Sequence, residues 1–223
     1  MGRVSERSLG RKLVAWWVVI GALSLLAYGS NFSQDDPPDD VLYRYESAAI
    51  GFVLYALVLG ILIAIAAGLD PRDAFGFRRP TSWKAAAGWA FGLLVVMLGL
   101  SVALEPVLGG GDEQGLDPSG WRSDRALPFL LNAVVIAVAA PIVEELMFRG
   151  LGYALLVPMG VLAAVVVTGI AFALTHGLVR AFPVLFVIGA GLAFIRWRTD
   201  SIYPPIILHG CFNGIGLLAG VLT

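Results

Sequence analysis

Seven stretches of this chain are apolar for close to the ~20 residues that a helix needs to cross the hydrocarbon of a bilayer. They fall near residues 12–29, 47–68, 84–104, 128–150, 159–176, 181–197 and 202–222, and the last three are short and rich in glycine. Within lipid every backbone N–H and C=O must find its partner inside the protein, which leaves helices and closed barrels as the spanning structures. Barrel strands alternate in polarity over segments of about ten residues, and these runs do not alternate. The expected fold is an all-α polytopic membrane helix bundle of about seven transmembrane segments, within a range of six to eight. Composition agrees: 58% of residues are hydrophobic and 14% charged, against roughly 45–50% and 25% in soluble domains, and the mean hydropathy is +0.84. No internal repeat or soluble domain interrupts the pattern. Residues 1–127 read as N-terminal helices and loops, and 128–223 as a core, in one integrated membrane domain.

The net charge of −1 and the lack of a basic stretch give no reason to expect a nucleic-acid partner; membrane lipids are the expected surroundings. Cys211 is the single cysteine, so no intrachain disulfide can form. We expect it to be a small packing residue. Arg3, Arg7, Arg11 and Lys12 precede "LVAWWVVIGALSLLAY" without an A-x-A-like cleavage site, so this stretch reads as a retained first helix or signal anchor. The connections alternate in charge. The N-terminal segment and "DPRDAFGFRRPTSWK" carry clustered Arg and Lys, whereas "GSNFSQDDPPDDVLYRYES" and the segment from Glu105 to Ala126 are mostly acidic. Positively charged connections stay in the cytoplasm, which places the N-terminus there. "GGGDEQGLDPSG" reads either as a mobile external loop or as a loop ending in a short interfacial helix. Trp16, Trp17, Trp83, Trp89, Trp121 and Trp197 lie mostly near span ends, where interface anchoring is expected.

Three polar clusters interrupt the spans, although an ionisable side chain near the bilayer centre costs about 2.5–3.5 kcal/mol on insertion scales. Glu144, Glu145 and Arg149 form the first, Phe172 and His176 in "FALTH" the second, and His209 and Asn213 in "HGCFN" the third. Glu145 and Arg149 are spaced i,i+4 and can pair along one face, as can His209 and Asn213. Glu144 is turned about 100° from Glu145. Sixteen residues beyond Pro128, or about 24 Å along a helix, it lies toward the cytoplasmic side. Gly177, Gly210, Gly214 and Gly216 would let helices approach closely. Each cluster also has a structural reading: a packing ion pair, an interfacial histidine, an interhelical hydrogen bond. Together, and with both histidines of the chain involved, they read as one shared site. In it Glu144, His176, His209 and Asn213 surround a hydrated pocket. A carboxylate in a low-dielectric pocket has its proton affinity raised and becomes a better base near neutrality. His and Asn donors aimed at a developing oxyanion stabilise it. A transporter with a Glu/His proton relay and a non-enzymatic scaffold remain as alternatives.

E-E-x-x-x-R at 144–149, F-x-x-x-H at 172–176 and H-x-x-x-N at 209–213 occur in this order on successive apolar segments. In this the chain resembles the CPBP intramembrane proteases, which include type II CAAX prenyl proteases and bacteriocin-processing or Abi proteins. The resemblance covers about residues 128–220. "FGFRRP" at 75–80 is similar to a segment found upstream in bacterial members. The resemblance implies an endopeptidase in the inner membrane of a bacterial or archaeal cell. Its substrate would be a membrane-associated peptide or protein, prenylated in the CAAX manner or bearing a leader. Glu144 would be the catalytic carboxylate, His176 its partner in holding water, and His209 and Asn213 the oxyanion donors, with Glu145, Arg149 and Phe172 in support. A bacteriocin-immunity protein is the non-enzymatic counterpart within the same resemblance. The cofactor is left open. Glu144, His176 and His209 are the donors if zinc is bound, and a metal-free glutamate mechanism is slightly favoured. Oligomeric state is not legible.

Overall fold

A computed structural model describes residues 6–32, 40–108 and 120–222. Arg3 and nearly all of "GGGDEQGLDPSG", with both readings of that loop, lie outside the described residues. Eight helices follow one another: α1 Glu6–Phe32, α2 Tyr45–Ala66, α3 Pro71–Phe75, α4 Trp83–Leu108, α5 Ser123–Met159, α6 Val161–Thr175, α7 Phe182–Thr199 and α8 Tyr203–Leu222. The described residues contain no strand. Six of the helices (α1, α2, α4, α5, α7 and α8) are long and apolar enough to cross a membrane. Large apolar side chains such as Val18, Leu25, Ile50, Val53, Val102 and Leu218 are exposed on their outer faces. That surface suits lipid as its solvent, and the all-α polytopic expectation holds.

The span expected at 159–176 is different. α6 has 15 residues, about 22 Å at 1.5 Å per residue, short of the ~30 Å hydrocarbon core. It ends at Thr175, and Gly177 follows at φ +70°. A Cβ at Gly177 would lie 2.7 Å from the Ala27 backbone in α1. The chain therefore turns back against α1. Gly210 makes a comparable close approach to the Ala137 carbonyl of α5 and Gly214 an ordinary contact with Ala137, but Gly216 faces no neighbour. Cys211 is exposed rather than packed, which corrects the sequence reading.

α5 is longer than the expected 128–150. Its 37 residues run unbroken to Met159, and Glu144, Glu145 and Arg149 each hydrogen-bond a residue of another helix. It contains two π-helical stretches, Val135–Ala139 and Leu146–Gly152. Such widened turns recur at functional sites. Pro141 sits between them with no N–H to give the turn before it, and the Ile136 carbonyl accepts instead from Asn213 Nδ2 at 2.9 Å. In the second stretch the Met147 carbonyl accepts from Trp16 Nε1 at 2.9 Å. Trp16 is thus not an interface anchor but a fully buried core residue. Its indole N–H needs a partner in an apolar interior, and Gly152 leaves room for the ring. Trp17, Trp83, Trp89, Trp121 and Trp197 are exposed at their span ends, as expected.

α6 and α7 cross at Gly169 and Gly189. A Cβ on Gly169 would lie 2.9 Å from Ala190 N, and one on Gly189 2.9 Å from Gly169 O. Small residues here bring the two backbones together. At the end of the bundle bearing Lys12 and Ala66, α3 forms a clasp. Asp70 caps it by accepting from Arg72 N at 2.8 Å, Pro71 starts it, and Gly76 ends it in the left-handed region at φ +72°. Gly76 O then accepts from Ile202 N at 3.1 Å, and Thr199 O from Thr81 N at 3.2 Å. Arg78 pairs with Asp73 and Asp200. The "FGFRRP" segment therefore ties α3 to the α7–α8 connection. At the opposite end Asp40 pairs with Arg44 and Arg125; the hydrogen bond from Arg44 and its charge hold the Asp40 carboxyl below its ordinary range.

Candidate active site

The two adjacent acids of α5 face different partners. Glu145 and Arg149 are both fully buried. Arg149 Nη1 donates to Glu145 Oε1 at 2.9 Å, and Nη2 donates to the Gly189 carbonyl at 2.7 Å. The guanidinium also lies 4.6 Å from the centre of the Phe172 ring. A planar cation with several donors can satisfy a carboxylate, a carbonyl and a ring face at once. The close crossing at Gly189 brings that carbonyl within reach.

Glu144 keeps 15% of its side-chain surface exposed, against none for Glu145. Tyr55 of α2 donates its hydroxyl to Glu144 Oε1 at 2.9 Å. Glu144 Oε2 has no hydrogen-bond partner among the described residues. It lies 3.9 Å from His209 Nε2, beyond direct hydrogen-bond reach. His209 Nδ1 is 2.9 Å from Glu145 Oε1. A carboxylate can only accept, so Nδ1 carries the proton of that bond and Nε2 is the nitrogen turned toward Glu144. One line of contacts thus runs from Arg149 through Glu145 and His209 to Glu144 and Tyr55.

His176 follows the last residue of α6 and donates from Nδ1 to the Phe172 carbonyl at 2.7 Å. Its ring centre is 4.5 Å from that of Phe172, which in turn is 5.6 Å from His209. Phe172 therefore touches both imidazoles, and the structure gives His176 no hydrogen bond to Glu144. Asn213 uses one amide N–H on the Ile136 carbonyl. Among the described residues no three His, Cys, Asp or Glu groups converge closely enough to hold a metal ion.

Residues 126–215 match the family model of the type II CAAX prenyl endopeptidases, described as Rce1-like. This segment is similar to that family. Neither a curated protein nor a solved structure matches the chain. The Rce1-like segment begins in α5 and ends in α8, and it contains Glu144, Glu145, Arg149, Phe172, His176, His209 and Asn213. It agrees with the resemblance carried by the three motifs.

Tyr55 lies outside the Rce1-like segment, and sequence reasoning overlooked it. Its signal was present as the one hydroxyl-bearing side chain deep within α2, away from the interface belts that tyrosines favour. Tyr55→Phe is expected to strip Glu144 Oε1 of its donor. A buried acceptor left unpaired costs about 1–3 kcal/mol, so the midpoint of thermal unfolding in detergent should fall. An unchanged midpoint would mean that water replaces the hydroxyl at no cost.

Proposed function

We propose that the chain is an intramembrane endopeptidase in which Glu144 activates water against a peptide bond of a membrane-associated substrate, prenylated or leader-bearing. The observation that carries this is the free Oε2 of Glu144 beside His209 Nε2, while the other carboxylate oxygen is fixed by Tyr55. Oε2 takes a proton from water as the water oxygen bonds to the carbonyl carbon. The carbonyl oxygen becomes an oxyanion, which His209 in its imidazolium form meets from Nε2, together with the remaining N–H of Asn213. Donors placed where charge develops are worth a few kcal/mol each. Collapse restores the C=O and breaks the C–N bond, and the proton held by Glu144 passes to the leaving amine. His176 has its Nδ1–H engaged by Phe172 O, so Nε2 is free to accept from the water. Arg149 and Glu145 act through His209, orienting its ring, and are positioning residues.

The basic connections support a cytoplasmic N-terminus, with the site entered from the face that carries α3. Residues 128–223 form the catalytic core, and the earlier helices supply Tyr55 and the wall contributed by α1. The test is the full-length chain in liposomes with two fluorogenic reporters, a farnesylated CAAX peptide and a leader peptide, each with and without chelator. Cleavage of either that persists after chelation is expected. Loss on chelation with recovery on adding zinc would overturn the glutamate assignment. Neither reporter cut by folded, inserted protein would overturn the endopeptidase reading in favour of a scaffold, an immunity protein or a transporter.

A further inference from the structure

At the end of the bundle that carries α3, an open cleft of about 460 Å³ is lined by Arg72, Phe77, Arg78, Arg79 and Tyr203. None of these residues takes part in the chemistry proposed above. Arg78 is already neutralised by Asp73 and Asp200. No carboxylate among the described residues lies within ion-pair distance of Arg72 or Arg79. Two guanidinium groups therefore bring uncompensated positive charge to one concavity.

The depth of the cleft is fixed by its neighbours. α2 ends at Ala66, α4 starts at Trp83 and α8 starts at Tyr203, so the cleft lies where three apolar spans begin or finish. Span ends of this kind lie at the headgroup level of a bilayer. Phe77 and Tyr203 are 37% and 40% exposed, with ring centres 6.5 Å apart. They present an apolar wall beside the two cations, the chemistry of an interfacial aromatic belt.

We propose that this cleft binds the headgroup of an anionic phospholipid. The phosphodiester sits between Arg72 and Arg79, which offer forked donors matched to phosphate oxygens. The glycerol and upper acyl chain lie on Phe77 and Tyr203. A zwitterionic lipid supplies the same phosphate but brings its own cation, so it gains less from two arginines. The assignment does not depend on the chemistry at Glu144.

The test uses the delipidated full-length chain in detergent. Lipid retention by native mass spectrometry and the unfolding midpoint are followed with phosphatidylglycerol, phosphatidylcholine or inorganic phosphate. A basic residue near an anionic headgroup contributes about fivefold in affinity, so two predict a preference for phosphatidylglycerol of about 30-fold. Arg72→Gln with Arg79→Gln should reduce it to the level of phosphatidylcholine, and Arg72→Lys with Arg79→Lys should keep most of it. Arg122→Gln, at the opposite end of the bundle, should leave it intact. If the double glutamine variant fails to fold, Arg79→Gln alone should lose about fivefold. Equal retention of the two lipids by the unaltered chain would overturn the proposal. So would a preference that survives the glutamine substitutions. Inorganic phosphate that shifts the midpoint as far as phosphatidylglycerol does would reassign the cleft to a soluble phosphate and overturn the lipid assignment.

Discussion

Glu144→Gln is expected to lower kcat for reporter cleavage by about 10²–10⁴-fold, the usual range for losing a general base, with the fold unchanged. The glutamine amide oxygen has the same reach, so the Tyr55 hydroxyl can still donate to it as it does to Oε1. What disappears is the proton acceptor at Oε2, the atom without a partner. KM should move little, because a group that acts only in the transition state affects kcat and kcat/KM together. Combining Glu144→Gln with His176→Ala should cost little more than Glu144→Gln alone, since a water that no base activates gains nothing from being held in place. Additive losses would separate the two residues into independent roles. Cleavage at the unaltered rate by Glu144→Gln would remove Glu144 from the reaction.

Arg149→Met should be the most damaging single change to stability. It leaves the buried Glu145 without its cation, with His209 Nδ1 as its one remaining hydrogen-bond partner among the described residues, and it deprives the Gly189 carbonyl of its donor. Removing one half of a buried ion pair costs about 3–5 kcal/mol. The double change Glu145→Leu with Arg149→Met should recover a large part of that loss, because an apolar pair leaves no orphaned charge. It should not recover cleavage, as His209 Nδ1 then has no acceptor to orient its ring. Apparent unfolding free energies in one detergent, measured beside reporter turnover, decide the matter. A double variant no more stable than Arg149→Met would contradict the ion-pair account, and a double variant with full activity would contradict the positioning role.

The spans were legible because the solvent simplifies the problem. Runs of apolar side chains fix where helices lie, and most observed ends fall within a few residues of the expected ones. The exceptions share a cause. The apolar run predicts an end near Gly150, whereas α5 continues to Met159, and Glu144, Glu145 and Arg149 each find a partner from another helix. Trp16 was read as an anchor because its position suggested one, but its partner is the Met147 carbonyl, 131 residues away. The π stretches leave no local mark, since a widened turn reflects what the surrounding helices demand of α5. For the candidate site, i,i+4 spacing was enough to pair Glu145 with Arg149. It could not show that His209 bonds to Glu145 rather than to Glu144, or that Phe172 stands between the imidazoles. Those arrangements depend on how the helices pack, and the close approach of α6 to α7 is set by Gly169 and Gly189.

The shortness of α6 has a price that the first helix meets. Its last carbonyls are met within the protein: Phe172 O accepts from Thr175 Oγ1 and His176 Nδ1, Ala173 O from His176 N, and Leu174 O from Gly177 N. The reversal that follows is pressed on Ala27, with Leu178 and Ala181 buried behind it. The first helix, expected to be a retained anchor, thus also covers the tip of the short hairpin formed by α6 and α7. Cutting α1 away would uncover that hairpin to the acyl chains and loosen the histidine at its tip.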